Sequence, residues 1–191
     1  MGRPRMFDLD DAVADALQVF WKRGYGATTP AELVDALGVG KGSFYNAFES
    51  KHALFVKALR KYGDDRVAGL ARWFAAPGSV RQRVRSYFEK LADKSRLGCF
   101  AANTAAELGR HDPEAARVVA DTFARMERVL EDALAEGHRR GEHAHEPKEV
   151  ASLLLAALVG VTVLAKVDSP PARTMRIARA AASLLQGGHH D

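Results

Sequence analysis

Apolar residues recur along this chain with the spacing of helix faces, at i, i+3, i+4 and i+7, and nowhere alternate as they would in a half-buried strand. The signals are densest over residues 28–51. Thr29 stands ahead of Pro30, which suits a first helical position because its missing N–H has no partner there in any case. Glu32 follows Thr29 by three residues and completes a capping box. Leu33, Val34 and Leu37 give this helix an apolar face, and Gly38 ends it by tolerating the left-handed backbone of a tight turn. Val39 points back into the junction. A second helix over 41–48 turns Phe44, Ala47 and Phe48 inward and leaves Gly42, Ser43, Tyr45 and Asn46 outside. Ser50 caps the next one. Two short helices across a glycine-bearing turn, the second with a polar outer face, predict a helix-turn-helix.

The rest of the pattern is helical as well. A first helix starts at Asp8 or Asp10, buries Val13, Ala16, Leu17, Phe20 and Trp21, and ends at Gly24, after which Tyr25 packs on the same unit. A long helix is predicted over 51–73, with Pro77-Gly78 as the first strong break. Further helices are predicted over 80–97, 99–108 and 113–140, the last opened by Asp112-Pro113. A polar loop over 142–146 precedes a helix opened by Pro147 and running to 167, and Pro170-Pro171 separates it from a final helix over 172–185. The expected fold is all-α, with about nine helices. A helix-turn-helix domain occupies 1–50, and the helix from 51 links it to a larger helical domain over 51–191.

The run G-V-G-K-G-S-F-Y-N-A-F-E-S-K-H-A-L-F resembles the signature of the TetR family of repressors, helical dimers that bind operator DNA and release it on binding a small ligand. G-R-P-R and A-L-Q-V-F-W-K-R-G-Y-G-A-T-T upstream are similar to the family's first helix and its entry to the motif. The likeness covers roughly the first third of the chain. It departs at Gly40, where the family usually carries Ser or Thr. The segments G-C-F-A-A-N-T-A-A-E-L-G-R-H-D-P-E, R-R-G-E and L-L-L-A-A-L-V-G-V-T-V-L-A resemble, more loosely, a recurring C-terminal type in the same family. This resemblance implies a homodimer whose last two long helices, about 147–167 and 172–185, form a four-helix interface. It also implies double-stranded operator DNA and a small-molecule effector as partners, with 51–191 as the ligand-binding and dimerisation domain.

Charge changes this picture little. The net charge of +4 and pI near 9.3 are too mild to establish nucleic-acid binding. In the N-terminal region Asp8, Asp10, Asp11 and Asp15 offset Arg3, Arg5, Lys22 and Arg23, so the placement of charges matters more than their sum. Cys99 is the single cysteine, which rules out an internal disulfide and fits a reducing, cytoplasmic setting. The basic start is followed by acids instead of the apolar run of a secretion signal. The apolar stretch 150–165 spans about 24 Å against the ~30 Å of a bilayer core. Ser152, Gly160 and Thr162 interrupt it, so a core or dimer helix is expected, with no membrane partner.

DNA reading calls for donors on the outer face of the second motif helix and for phosphate anchors around it. Lys41, Ser43, Tyr45 and Asn46 supply donors, and Gly42 lets backbone approach the groove. Thr28 and Thr29 lie at a helix N-terminus, where N–H groups favour a phosphate, and Lys51 opens the following helix. Arg3 and Arg5 form an arm able to lie along phosphates or in a minor groove. The resemblance makes Tyr45 and Lys51 phosphate contacts and sets Lys41, Gly42 and Asn46 nearest the bases.

An effector pocket in a helical bundle should be mostly apolar with a few polar groups. Trp73, Tyr87, Phe88, Phe100, Asn103, Thr104, Glu107, Phe123, Met126 and Thr162 are the candidates, and each reads equally as ordinary core or dimer contact. Cys99 follows Gly98 at a helix N-terminus, where the dipole can lower a thiol pKa. A thiol-based sensor is therefore an alternative to an inert buried cysteine. His138, His143 and His145 straddle a helix end and a polar loop without the spacing of a metal site, and are expected to be solvated. Residues 38–43 lack the spacing of a phosphate-binding loop, so neither a nucleotide nor any other cofactor is expected. No Ser-His-Asp or paired-carboxylate spacing demands catalysis. The reading is a ligand-responsive DNA-binding repressor and not an enzyme. The alternatives are a redox-sensing repressor acting through Cys99, or a helical small-molecule binder in which the motif is only structural.

Overall fold

Side-chain caps set where the helices of this chain begin. In a computed structural model, which describes residues 8–94, 97–167 and 171–185, the Asp8 carboxylate accepts the Asp10 and Asp11 N–H groups and opens α1 (Leu9–Arg23). Arg3 and Arg5 lie outside the described residues. Both halves of the Thr29–Glu32 capping box are made at the start of α2 (Pro30–Leu37), and Gly38 closes that helix at φ 62°. Gly40 precedes α3 (Lys41–Phe48) and offers no side-chain cap. Ser50 accepts from the Ala53 N–H to open α4 (Lys51–Phe74).

The remaining helices are α5 (Val80–Lys94), α6 (Phe100–Leu108), α7 (Pro113–Arg139), α8 (Pro147–Leu164) and α9 (Pro171–Ser183). No strand occurs among the described residues. Three ends differ from expectation. Helix α5 is described as far as Lys94, and Leu97 already belongs to the turn that Gly98 completes at φ 72°. The apolar run after Pro147 leaves α-geometry at Leu164 and finishes as a 3₁₀ turn over Ala165–Val167, a common way for a helix to tighten as it ends. The last helix ends at Ser183, short of Leu185.

Two apolar clusters hold the molecule together. In the first, Phe20 of α1, Leu33 of α2, and Phe44 and Phe48 of α3 pack on Leu54 and Phe55 of α4. Phe100 of α6 and Val118 of α7 join the same cluster, so the N-terminal helices are seated directly on the body. The second gathers Leu70 and Phe74 from the end of α4 with α5, the C-terminal half of α7, α8 and α9. Both α4 and α7 belong to the two clusters, and Phe123 of α7 touches each. They approach so closely at Gly63 that a Cβ there would lie 2.4 Å from Thr122 Oγ1.

Helix α8 turns Val150, Leu154, Leu158 and Val161 into the second cluster. Its other side leaves Leu153, Val163 and Leu164 exposed, and Val167 beyond it is 79% exposed. The stretch Pro147–Val167 is long and apolar enough to cross a membrane, and only 33% of it is buried. His143 departs from its expected solvated position: it is 3% exposed, its Nε2 sits 3.0 Å from the Leu134 carbonyl, and its ring stacks near His145. The hydrogen bond to that carbonyl, in the last turns of α7, draws the ring inward.

Candidate nucleic-acid interface

The outer face of α3 follows from its inner one. Phe44 and Phe48 are 0% and 1% exposed and fix the helix in rotation, which leaves Lys41, Gly42, Ser43, Tyr45 and Asn46 in solvent. The Tyr45 ring meets Phe44 edge to face at 5.2 Å, which steadies a side chain that is otherwise 40% exposed. Nothing lies within 4 Å of a Cβ built on Gly42, so this face is open to close approach. The Glu32 carboxylate occupies the Thr29 N–H at 2.8 Å and pairs with Arg23 at 2.7 Å. Hydrogen bonds from the Thr29 backbone and hydroxyl hold this carboxyl below its usual pKa.

Two of the expected phosphate contacts face inward. Thr28 is 1% exposed, and its hydroxyl donates to the Gly24 carbonyl at 2.7 Å. The Lys51 ammonium donates to the Tyr25 and Thr28 carbonyls at 3.0 and 2.9 Å and lies 4.0 Å from the Tyr25 ring centroid. Both residues brace the turn between α1 and α2. That turn is also gripped from the body. Glu107 of α6 accepts the Tyr25 and Gly26 N–H groups at 3.1 and 2.6 Å. A Cβ at Gly24, which has φ 85°, would stand 2.9 Å from Glu107 Oε2, so the clamp needs glycine at that point.

A second tie joins His52 Nε2 to Asp112 Oδ2 at 2.7 Å, linking the start of α4 to the cap of α7. Burial pushes the Asp112 carboxyl up, but the Ala115 N–H, the His52 ring and the Glu114 N–H outweigh it and hold the group below the usual carboxylate range. Burial, followed by the Asp112 charge, raises the Tyr25 phenol.

The candidate pocket residues do not converge on one cavity. Phe100, Asn103, Thr104 and Glu107 line a cleft of about 400 Å³ between α1 and α6, which Lys166 also borders. Lys166 Nζ donates to Asn103 Oδ1 at 3.0 Å, and Asn103 Nδ2 and Trp21 Nε1 both donate to the Leu97 carbonyl. The Thr104 hydroxyl is buried there without a partner among the described residues. Trp73 and Tyr87 line a different cleft, between α4 and α5. Phe88 and Met126 are buried core, and Phe123 bridges the two clusters. The Thr162 hydroxyl donates to the carbonyl of Val159.

Cys99 is 5% exposed, and its Sγ accepts from the Tyr62 hydroxyl at 3.3 Å. Burial, with the thiol beside it, pushes the Tyr62 phenol far up. Sequence reading missed Arg66, Lys166 and the His52–Asp112 pair. Only Arg66 left a trace, one turn after Tyr62 and one turn before Leu70 on the buried stripe of α4. Among the described residues no three His, Cys, Asp or Glu side chains are grouped to hold a metal ion.

Residues 12–58 match the model of the tetR family of bacterial regulatory proteins, and residues 79–181 match that of a tetracyclin repressor-like C-terminal domain. The chain is 33% identical over 181 residues to the uncharacterized HTH-type transcriptional regulator YezE of Bacillus subtilis (strain 168), covering 88% of this chain and 91% of that protein. It is 31% identical over 186 residues to the HTH-type transcriptional repressor ComR of Escherichia coli (strain K12), covering 93% and 88%. Among solved structures it is similar to a cysteine mutant of the TetR family transcriptional regulator CifR complexed with 26-bp double-strand operator DNA. That match has a TM-score of 0.81 and 26% identity over 96% of this chain and 100% of that one.

Proposed function

The chain belongs to the TetR family of bacterial regulatory proteins, and we propose that it is a dimeric, ligand-responsive repressor of a near-palindromic operator. One observation carries the reading: α3 is pinned by Phe44 and Phe48 and offers Lys41, Ser43, Tyr45 and Asn46 to solvent on one face. Lys41 and Asn46 reach base edges, Gly42 lets the backbone close on the groove, and Tyr45 and Ser43 bind phosphate oxygens. Thr29 adds a contact at the start of α2, and Arg3 and Arg5 follow the backbone of the duplex. Thr28 and Lys51 act by holding the α1–α2 turn. Residues 1–50 read DNA, and 51–191 sense the effector and dimerise. The protein works in the cytoplasm and has no catalytic role.

An effector acts by favouring a spacing of the two recognition helices other than the one-turn separation, about 34 Å, that successive major grooves require. The Glu107 clamp and the His52–Asp112 tie would transmit that shift, since they join the reader to α6 and α7. Selection from a random duplex pool, followed by gel shift at low salt, tests the reading. Enrichment of a near-palindrome, with at least about tenfold weaker binding by the Lys41→Ala/Tyr45→Ala double variant, is expected. A pool that yields no bound sequence would sink it.

A second reading, regulation through the Cys99 thiol, rests on the contact that Sγ makes with the Tyr62 hydroxyl, which donates to it at 3.3 Å. Cys99→Ser should then abolish release of DNA by peroxide without altering operator binding. An unchanged response to peroxide removes that reading.

A further inference from the structure

Arg66 is the side chain this fold leaves unexplained. It lies on the buried stripe of α4, and its Nε is sealed from solvent with no hydrogen-bond partner among the described residues. No described carboxylate forms an ion pair with it. Asp65, its neighbour, pairs with Lys61 at 3.2 Å, and Glu89 on the facing helix pairs with Arg85 at 2.9 Å. The groups that do face Arg66 are the phenols of Tyr62 and Tyr87 and the Cys99 thiol. Burial raises both phenols, so each stays neutral and neither supplies the missing negative charge. A guanidinium withdrawn from water without a counter-charge is costly, and the cost falls away when an anion completes the pair.

Arg66 also forms part of the wall of a cleft of about 160 Å³ between α4 and α5. Leu70, Trp73, Tyr87 and Leu91 give that cleft apolar and aromatic surfaces. Lys90 stands at its edge, with Nζ 4.3 Å from the Trp73 ring centroid, and adds a second cation that forms no ion pair among the described residues. We propose that this cleft binds a small monocarboxylate with a flat or short apolar body, its carboxylate taken by Arg66 and its body laid against Trp73 and Leu91.

The chemistry selects that class. A guanidinium offers a rigid fork of donors that matches a carboxylate two bonds at a time. The volume is well below the roughly 300–1,000 Å³ of sites for drug-sized molecules, which limits the body to a small ring or short chain. Asp65 on the same wall disfavours a second negative charge, and so disfavours a phosphate monoester. This inference rests on the repressor reading and names the class of its effector. Because α4 carries both Arg66 and the seat of the DNA reader, a ligand drawing Arg66 toward α5 acts on the element that positions α3.

The test titrates the full-length protein with benzoate and hexanoate, then with benzamide, hexanamide and phenyl phosphate, reading tryptophan fluorescence, thermal midpoint and operator release. Both carboxylates should bind and release operator, with the amides and phenyl phosphate at least about tenfold weaker, the scale of a lost charge-assisted hydrogen bond. Arg66→Gln should weaken carboxylate binding by at least about tenfold while its operator binding without ligand stays within about twofold of the parent. Lys90→Gln, at an exposed position, should weaken it a few-fold and serves if Arg66→Gln does not fold. Trp73→Phe should remove most of the fluorescence response. The proposal is overturned if neither carboxylate binds, if an amide or phenyl phosphate binds as well, or if Arg66→Gln or Lys90→Gln binds carboxylate like the parent. Operator binding in the absence of any probe is measured in the same series, so failure of the carboxylate site and failure of the repressor reading give different results.

Discussion

Lys41 opens the reading helix and Lys51 opens its successor, and despite the same charge they should fail differently. The Lys51 ammonium is already engaged by two backbone carbonyls of the α1–α2 turn. Lys51→Met should therefore destabilise the protein by about 1–2 kcal/mol, a charged hydrogen-bond loss tempered by partial exposure, and leave the salt dependence of operator binding nearly unchanged. Lys41 is exposed and has no such partners, so Lys41→Ala should leave the melting temperature alone, weaken operator binding about tenfold and relax specificity at the base pair it reads. Thermal melts and gel shifts across a salt series separate the two.

Asp112 gives a pH prediction. Its carboxyl is depressed in the folded protein, so its stabilising contribution is complete above its unfolded value of about 3.9 and is lost as pH falls through the lower folded value. Asp112→Ala should cost about 1–2 kcal/mol at neutral pH as a lost N-cap, and should flatten the acid limb of a melting-temperature profile. An unchanged acid limb would show that the His52 tie adds nothing. At this scale the capping residues were legible because a cap and the N–H that donates to it lie within three residues. The partners of Glu107 and Lys51 were not, since they lie 82 and 26 residues away in sequence and only the packed fold brings them together.

Between elements, the approach of α4 to α7 sets the strongest constraint. Gly63 lies within α4, where alanine would gain about 1 kcal/mol from helix propensity alone. Its Cβ would stand 2.4 Å from Oγ1 of Thr122, a short branched side chain whose hydroxyl is tied to the Val118 carbonyl at 2.8 Å and cannot swing away cheaply. Overpacking of this kind costs about 1–3 kcal/mol, so the clash should win and Gly63→Ala should lower stability. Adding Thr122→Ala should recover most of the loss, which a double-mutant cycle by urea denaturation would measure. Helix positions were readable from periodicity, caps and breakers, and boundaries came within a few residues. The end of α9 was not, because no capping residue marks it. The half-buried Arg66 was passed over for a related reason: a charged residue on an apolar stripe is normally read as a solvated flank until its neighbours are known.

For the whole molecule, the apolar run over 150–165 announced a helix covered on more than one side but could not say by what. Among the described residues of one chain, α8 is covered on the side of Val150, Leu154, Leu158 and Val161. Leu153, Gly160 and Leu164 fall at seven- and four-residue spacing on a single uncovered stripe, and Leu153 is 52% exposed. Nothing lies within 4 Å of a Cβ at Gly160, so a partner helix can approach closely there. An exposed apolar stripe of this kind is unfavourable in water and favours a second copy over solvent. Leu153→Glu places like charges across the two-fold axis and should convert the dimer to a monomer at micromolar concentration in sedimentation velocity. Operator affinity should then fall by at least about a hundredfold, because each half-site loses the effective concentration supplied by the linked partner. Binding to an isolated half-site should be unchanged, since α3 packs in the first cluster and α8 in the second. A variant that remains dimeric, or a monomer that keeps full operator affinity, would mean that α8 does not join the two reading heads.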